Sequence, residues 1–371
     1  AGYETTKEGI GDEECLLGLP DIKTESMEEV ELPSILEIKW KREGRYEKEM
    51  AELEEFFRKR KLPRTSRNYM IKWLTDYIRD FGIDGFRCDT AALIELKEWQ
   101  ALNNEAEIAF AEYEAKYPDK VLARPIEFNI SAENFWSISE VWFHEIKKSE
   151  FFIKAGFNAV LNTEFNDISA DNIRQKYNEL SLVNDEEEPF NMVSYISSHD
   201  HLLYNRDNLL DGGTYLLLAP GAVQIFYGDE TARNFKWQEY TVDGKYLDLT
   251  FRSFMNWDAL NEGSSFESKI LAHWQKLGKF RNNHLAVGAG KHIEISDEPY
   301  TFARIYDKDG IVDKVICVIG ALGTENIDVS KVFSDGMKLK NAYTGESATV
   351  KDGKVTFTAG IERLILIEEY I

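Results

Sequence analysis

Residues 83–90 are Ile83-Asp84-Gly85-Phe86-Arg87-Cys88-Asp89-Thr90. This short apolar run lies between a helical pattern that ends at residue 81 and another that begins at residue 91, which predicts a strand of a parallel sheet. Its carboxyl end carries Arg87 and Asp89, and barrel enzymes keep their catalytic groups at that end of the strands. A structural ion pair at a strand end is the alternative interpretation, because such pairs also occur without any catalytic role.

Two later apolar runs also end in charged residues. Residues 135–142 include Glu140 near the end of the run, and residues 191–200 end in His199 and Asp200. Because the carboxyl ends of parallel strands lie at one rim of a barrel, we expect Asp89, Glu140 and Asp200 to meet around one ligand. Cleavage of a glycosidic bond needs one carboxylate as nucleophile and one carboxylic acid as proton donor. The three strand ends therefore favour glycoside chemistry.

The order of these segments resembles the sequence blocks of the alpha-amylase family of glycoside hydrolases. The blocks are Gly85-Phe86-Arg87-Cys88-Asp89, Glu140-Val141-Trp142 and His199-Asp200, together with Leu19-Pro20-Asp21-Ile22-Lys23 and the segment 219–230 around the eighth barrel strand. The resemblance runs from about residue 10 to the C-terminus. It implies a (β/α)8 barrel of the TIM type that lacks its first three strands, followed by a small all-β sandwich.

The resemblance divides the chain into three parts. Residues 1–65 correspond to a remnant of the excursion after the third strand, residues 66–289 to strands four to eight with their helices, and residues 290–371 to an antiparallel β-domain. The family's Asp-x-x-x-Asn-His block is not present in the sequence. We therefore expect the chain to be the C-terminal part of a longer enzyme. It would pair with the missing N-terminal part, and would be weakly active or inactive alone.

The pattern before the first strand predicts an amphipathic helix with Ser66 as its N-cap. We expect its apolar stripe to lie in the core; the stripe comprises Met70, Trp73, Leu74, Tyr77, Ile78 and Phe81.

The resemblance assigns a role to each residue of the blocks. Asp89 corresponds to the nucleophile, and Arg87 would keep it ionised, because a nearby opposite charge lowers the pKa of a carboxyl group. Glu140 corresponds to the proton donor, whose pKa must be raised. Asp200 corresponds to the third carboxylate, which in the family holds sugar hydroxyls and stabilises the positive charge of the transition state, and His199 would donate a hydrogen bond to the sugar.

Other residues receive weaker assignments. Trp136 and Trp142 would form an apolar wall beside the proton donor, and the motif places Trp142 among the substrate-binding residues. His144 and Arg206 are candidates for contacts to sugar, and a structural duty is the alternative for each. Asp21 lies in a block that supplies a calcium ligand in the family, although a calcium site takes 6–8 oxygen ligands. We expect no organic cofactor.

Charge and cysteine content exclude several classes of function. Lys and Arg number 44 against 66 Asp and Glu, which gives a net charge of −22. Such a surface repels phosphate backbones and anionic lipids, so we expect no nucleic-acid partner, whereas a neutral polymer such as starch is not repelled. Cys15, Cys88 and Cys317 have neither disulfide-framework nor zinc spacing. No apolar run approaches 18 residues, so we expect no membrane insertion.

The implied function is a retaining hydrolase of alpha-1,4-glucosidic bonds in starch, glycogen or maltooligosaccharides. Alternatives are alpha-1,6 or pullulan-type specificity, transfer to another sugar, and a non-catalytic glucan-binding fragment. Ala92 and Leu93 replace a Lys-His pair of the family, and Ser198 replaces an Asn, so the substrate preference stays open. The family implies a secreted or periplasmic location, with the cytoplasm as the alternative.

Overall fold

The computed structural model describes residues 22–118, 135–142, 144–184, 191–200, 203–234, 241–242, 245–246, 251–260, 265–308 and 310–370. The chain divides into two compact units. The first comprises Ala1–Trp142 and Lys148–Val160, and the second comprises Phe143–Lys147 and Leu161–Ile371.

The first unit alternates helices with short parallel strands. Its elements are α1 (Ser34–Arg42), α2 (Tyr46–Arg60), α3 (Ser66–Phe81), β1 (Gly85–Cys88), α4 (Leu96–Lys116), β2 (Trp136–Ser139), α5 (Glu150–Ile153) and the start of β3 (Ala159–Asn162). Strand β1 pairs with β2 from Gly85↔Trp136 to Cys88↔Ser139, and β2 pairs with β3 at Ile138↔Ala159. Both pairings are parallel, as the sequence predicts for strands separated by helices.

A small apolar core joins α3, α4 and the strands. It contains Ile78 of α3 and Ala106, Ala109 and Phe110 of α4, with Phe135 before β2. The two alanines allow close packing of the helices because they carry only a methyl group. Helix α3 ends at Gly82, which adopts the left-handed conformation (φ +67°) that favours glycine.

Two local predictions for α3 are wrong. The N-cap is Thr65, whose side chain accepts a hydrogen bond from Asn68 N, so the helix begins at Ser66. The predicted core stripe is also largely outside the core, since Tyr77 is 55% exposed and Phe81 is 70% exposed. The apolar and aromatic residues of α3 cover more than one face, and the helix packs through the face that contains Ile78.

Ion pairs connect the three long helices of the first unit. Arg60 Nε lies 2.8 Å from Glu105 and its Nη2 lies 2.9 Å from Glu112, which also accepts from Arg79 Nε at 2.8 Å. Burial raises the pKa of Glu112, but hydrogen bonds from Lys59, Arg79 and Arg60 outweigh it and lower that pKa to about 2. Within the described ranges, no helix is both long enough and apolar enough to cross a bilayer.

The second unit contains further parallel strands, and antiparallel strands follow them in the sequence. Its barrel-type elements are the end of β3, α6 (Ile173–Asn184), β4 (Met192–Ser194), α7 (Leu209–Leu217) and β5 (Ala222–Val223). Strands β4 and β5 pair in parallel at Val193↔Ala222. A hairpin and three helices follow: β6 (Thr241–Val242), β7 (Lys245–Tyr246), α8 (Trp257–Leu260), α9 (Phe266–Asn283) and α10 (Leu285–Ala289).

The C-terminal strands form two antiparallel sheets. They are β8 (Lys291–Ser296), β9 (Tyr300–Lys308), β10 (Ile311–Ile319), β11 (Thr324–Asp328), β12 (Lys338–Asn341), β13 (Ser347–Thr349), β14 (Lys354–Thr358) and β15 (Leu364–Glu369). The larger sheet has the order β13-β12-β15-β10-β9-β8, and β11 pairs with β14. Val355 and Phe357 of β14 share one core with Ile316 and Val318 of β10. This alternation of inward apolar side chains is what a β-sandwich requires.

His284 lies between two carboxylates that belong to β10 and β15. Its Nδ1 is 2.8 Å from Asp313 Oδ1, and its Nε2 is 2.9 Å from Glu368 Oε2. Burial lowers the pKa of His284, but these two partners outweigh it and raise the pKa from 6.5 to about 9. The imidazolium therefore connects the end of α9 to the β-domain at neutral pH.

We expect this link to weaken in alkali. The folded pKa lies above the unfolded one, so the stabilisation is complete below pH 6.5 and is lost as the pH rises through 9. The shift corresponds to about 3 kcal/mol. Urea unfolding of the wild type and His284→Gln between pH 6 and 9.5 tests it, because only the wild type should lose this stability. An equal decline in both proteins would contradict the assignment.

Candidate active site

The carboxyl ends of β1 and β2 bring Arg87, Asp89 and Glu140 together. Beyond the paired strands, Glu140 N donates to Cys88 O at 2.9 Å, and Ala91 N donates to Glu140 O at 2.9 Å. Arg87 Nη2 donates to Glu140 Oε1 at 2.5 Å, while its Nη1 contacts Asp89 Oδ1. One guanidinium therefore contacts two carboxylates that are 51 residues apart in the sequence.

Two backbone features allow this geometry. Gly85 lies so close to β2 that a Cβ atom would be 2.1 Å from the carbonyl oxygen of Trp136. A larger residue at position 85 would push β1 and β2 apart. The pairing that places residues 89–91 beside Glu140 would then be lost. Thr90 has a left-handed backbone (φ 42°), which is unusual for a β-branched residue, and its N–H donates to Glu140 Oε2 at 3.3 Å. The turn after β1 thus directs a donor at Glu140.

The two carboxylates have different environments. The side chain of Asp89 is 61% exposed, whereas that of Glu140 is 9% exposed. Burial raises the pKa of Glu140, Arg87 and the Thr90 N–H oppose this, and Asp89 raises it further, so that the net direction is upward. A buried carboxyl group with a raised pKa, such as Glu140, favours the protonated form, and an exposed carboxylate beside it, such as Asp89, can stay ionised. Pairs of this kind let one group donate a proton while the other acts as a base or nucleophile.

The second unit carries His199 and Asp200 after β4. His199 Nε2 lies 2.8 Å from Asp200 Oδ2, and Arg252 Nη2 donates to Asp200 Oδ1 at 3.0 Å. Asp200 N donates to Ser198 Oγ at 3.3 Å, which fixes the backbone of this turn. Both oxygens of Asp200 therefore contact cationic or polar side chains, and its side chain is still 31% exposed.

Arg206 lies in a buried polar cluster of the second unit. Its side chain is 11% exposed, and its Nη2 donates to Asp229 Oδ1 at 2.8 Å and to Ser197 Oγ at 2.9 Å. Its Nε donates to Tyr204 O at 2.8 Å. Because these contacts engage the guanidinium within the protein, the structure favours the structural alternative for Arg206.

Three of the remaining candidates lie among the described residues, and one lies outside them. Trp136 begins β2 and is 40% exposed, and Trp142 follows Glu140 by two residues with partial burial. His144 lies in the second unit, where burial lowers its pKa and its Nδ1 is 2.6 Å from Glu145 O. Asp21 is outside the described residues, and those residues contain no cluster of three or more His, Cys, Asp or Glu that could hold a metal ion.

Sequence reasoning missed two residues at the second-unit cluster. Arg252 contacts Asp200 although it follows it by 52 residues, and no periodic pattern of the sequence marks it. Asp229 belongs to the segment 219–230, which resembles a segment of the family. Its position next to Gly228, in a turn that is buried, was the one sign in this segment that Asp229 has a structural or functional role.

Comparison with known proteins identifies related sequences and folds. Over 252 residues, or 67% of this chain, the sequence is 38% identical to the periplasmic alpha-amylase of Escherichia coli (strain K12). The match covers 35% of that protein, so the chain spans about a third of the length of this curated relative. No protein-family model matches the sequence.

Solved structures give a fold match over most of the chain. An alpha-amylase from Anoxybacillus matches with a TM-score of 0.59 at 20% identity, over 83% of this chain and 65% of that one. An alpha-amylase from Geobacillus thermoleovorans, complexed with acarbose, matches with a TM-score of 0.61 at 15% identity, over 84% and 66%. AmyP in complex with maltose matches with a TM-score of 0.57 at 15% identity, over 83% and 69%. Together with the parallel strands β1–β5 and the antiparallel strands β8–β15, these matches confirm the predicted fold class.

Proposed function

The chain belongs to the alpha-amylase family of glycoside hydrolases, and we propose that the protein carrying it hydrolyses alpha-1,4-glucosidic bonds with retention of configuration. The proposed substrates are starch, glycogen and maltooligosaccharides. Two solved relatives hold acarbose or maltose, which supports an alpha-glucan oligosaccharide as ligand. The net charge of −22 does not oppose the binding of an uncharged polymer.

The observation that carries this proposal is the contact of Arg87 with both Asp89 and Glu140. Retaining enzymes hold their two carboxyl groups about 5–5.5 Å apart, and inverting enzymes leave about 6.5–9.5 Å for a water molecule. Two carboxylates that contact adjacent nitrogens of one guanidinium fit the shorter separation. The exposed Asp89 and the buried Glu140 also differ in the way that a nucleophile and a proton donor must differ.

The proposed reaction proceeds in two displacements. In the first, a carboxylate oxygen of Asp89 bonds to the anomeric carbon, the glycosidic C–O bond breaks, and the Glu140 carboxyl group gives its proton to the departing oxygen. In the second, the Glu140 carboxylate takes a proton from water, the water oxygen bonds to the anomeric carbon, and the ester bond to Asp89 breaks. Arg87 would favour the ionised form of Asp89 before the first step.

The other assignments extend this proposal. We infer that Asp200 and His199 bind sugar hydroxyls, that Asp200 also stabilises the positive charge of the transition state, and that Trp142 and His144 are candidates for further contacts. Calcium binding through Asp21 stays a prediction from the resemblance, and no step of the reaction depends on it. We also propose a secreted or periplasmic location, which the likeness to the Escherichia coli protein supports.

Bond specificity depends on loops rather than on the carboxylates. Ala92 and Leu93, where the family carries a Lys-His pair, lie in a short helical turn, Ala91–Leu93, directly after the nucleophile segment. Small and apolar residues at these positions offer no hydrogen bond to a leaving sugar. Alpha-1,6 cleavage and transfer to another sugar therefore stay open as alternative specificities.

The anomeric form of the first product tests the proposal. We expect ¹H NMR of maltopentaose mixed with the complete protein to show alpha-anomeric product first, followed by slow mutarotation. Beta-anomeric product would contradict the retaining mechanism. Binding of maltopentaose without any cleavage would instead support the non-catalytic alternative.

A further inference from the structure

A carboxylate that the reaction does not use lies fully buried beneath the turn that carries Asp200. The side chain of Asp229 is 1% exposed; its Oδ1 accepts from Arg206 Nη2 and from Ser197 Oγ, both at 2.8 Å. Its Oδ2 is buried and meets no donor among the described residues. Burial raises the pKa of Asp229, and Arg206 opposes this. Burying a carboxylate is costly, so its presence calls for a role beyond filling space.

The cluster around Asp229 closes the segment 197–206 on itself. Ser197 Oγ donates to Asp229 and accepts from Tyr204 N at 3.0 Å and from Arg206 Nη2 at 2.9 Å. One hydroxyl has one proton and two lone pairs, so its hydrogen-bonding capacity is fully used. Arg206 Nε also donates to Tyr204 O at 2.8 Å. Both ends of the segment are therefore fixed to Asp229, and Asp200 lies between them.

A second buried arginine fixes the segment that carries Arg252, which contacts Asp200. Arg233 is 1% exposed, and it donates to Phe251 O at 3.2 Å and to Ser253 Oγ at 2.6 Å. Arg252 lies between those two residues and donates to Asp200 Oδ1. Gly228 is required here, because it has φ +89° and a Cβ atom would lie 2.4 Å from Arg233 Nε.

We propose that Asp229 is a positioning residue for Asp200, acting through Arg206 and Ser197, and that Arg252 completes the support. The cluster fixes residues 197 and 204–206 to Asp229, so that the carboxylate of Asp200 keeps a fixed direction when sugar binds. This inference rests on the proposed function of Asp200 as a substrate-binding carboxylate. A role in stability alone is the competing explanation.

A double-mutant cycle separates these explanations. The variants are Asp229→Asn, Asp200→Asn and the double variant, made in the complete protein and assayed for kcat and KM on maltopentaose. We expect Asp229→Asn to lower kcat by about tenfold to a hundredfold with little change in KM, because small misplacements of a catalytic group have effects of this size. In the Asp200→Asn background, the same substitution should have less than about a twofold effect.

A matched control removes a different, half-buried ion pair. Asp313→Asn breaks the contact with His284 and lies in the β-domain, so we expect it to lower the melting temperature without changing kcat at 25 °C. Ser197→Ala is the milder second variant, since it keeps the Asp229–Arg206 ion pair and cuts only the hydroxyl link. It should show the same coupling to Asp200 if Asp229→Asn does not fold.

The outcomes distinguish the inference from the proposed function. Equal losses from Asp229→Asn in both backgrounds, or a lower melting temperature with unchanged kcat, would overturn the positioning role. A normal kcat for Asp200→Asn would instead overturn the role of Asp200 itself. Loss of kcat that disappears in the Asp200→Asn background supports the inference.

Discussion

Asp89→Asn should abolish hydrolysis of maltooligosaccharides by the complete protein, with a loss of at least about a thousandfold in kcat. An amide cannot form the ester with the anomeric carbon, so the first displacement has no nucleophile. Among the described residues, the change also leaves Arg87 with Glu140 as its carboxylate contact. Because the Asp89 carboxylate raises the pKa of Glu140, the substitution should lower that pKa as well.

The same substitution should leave the fold intact. The Asp89 side chain is 61% exposed, and surface substitutions of this kind change the free energy of unfolding by about 0.5 kcal/mol or less. Asp80→Asn is a matched control, since it removes an exposed carboxylate of α3 in the same unit. Peptide mapping of wild-type protein trapped with a fluorosugar should find the sugar on Asp89. Near-normal activity of the variant, or a sugar on another residue, would remove the assignment.

The cluster in the first unit could be predicted because local geometry determines it. Side chains two residues apart in extended backbone share a face, so Arg87 of β1 and Asp89, directly after the strand, were expected on one side. Strand β2 runs parallel to β1, and Glu140 directly follows its last residue. Because Cys88 pairs with Ser139, Glu140 lies beside Arg87 and Asp89. Short apolar runs followed by charged residues were sufficient to predict both strands.

The support for Asp200 could not be predicted in the same way. The contact between Arg252 and Asp200 depends on Arg233 folding residues 251–253 back onto the buried turn at Gly228. Such hydrogen bonds to backbone carbonyls leave no periodic pattern in the sequence. For Phe81 the sequence pattern predicted too much: it placed the side chain in the core, whereas the side chain is exposed. Apolar residues at helical spacing do not reveal which face of a helix packs.

The second large effect is expected for Glu140→Gln, and its size should depend on the leaving group. A sugar alkoxide leaves only when it receives a proton, so loss of the proton donor should slow cleavage of maltopentaose by about 10²–10⁴-fold. A 2,4-dinitrophenolate leaves without a proton, so the first displacement on that glycoside should be nearly unchanged. Glu150→Gln is the control, since it removes an exposed glutamate of the same unit that pairs only with Lys154 among the described contacts.

The second displacement then becomes diagnostic for Glu140. Without its carboxylate no base takes the proton from water, so the glycosyl ester on Asp89 should accumulate and dinitrophenol should appear as a burst of one equivalent. The pH profile should depend on the substrate too: the raised pKa of Glu140 keeps it protonated to higher pH, so wild-type cleavage of maltopentaose falls as the pH passes that pKa. The first displacement on the aryl substrate needs no proton, so it should lack this alkaline limb in the wild type and in the variant alike. Equal losses on both substrates, with no burst, would show that Glu140 supports the site through its contact with Arg87 rather than as the proton donor.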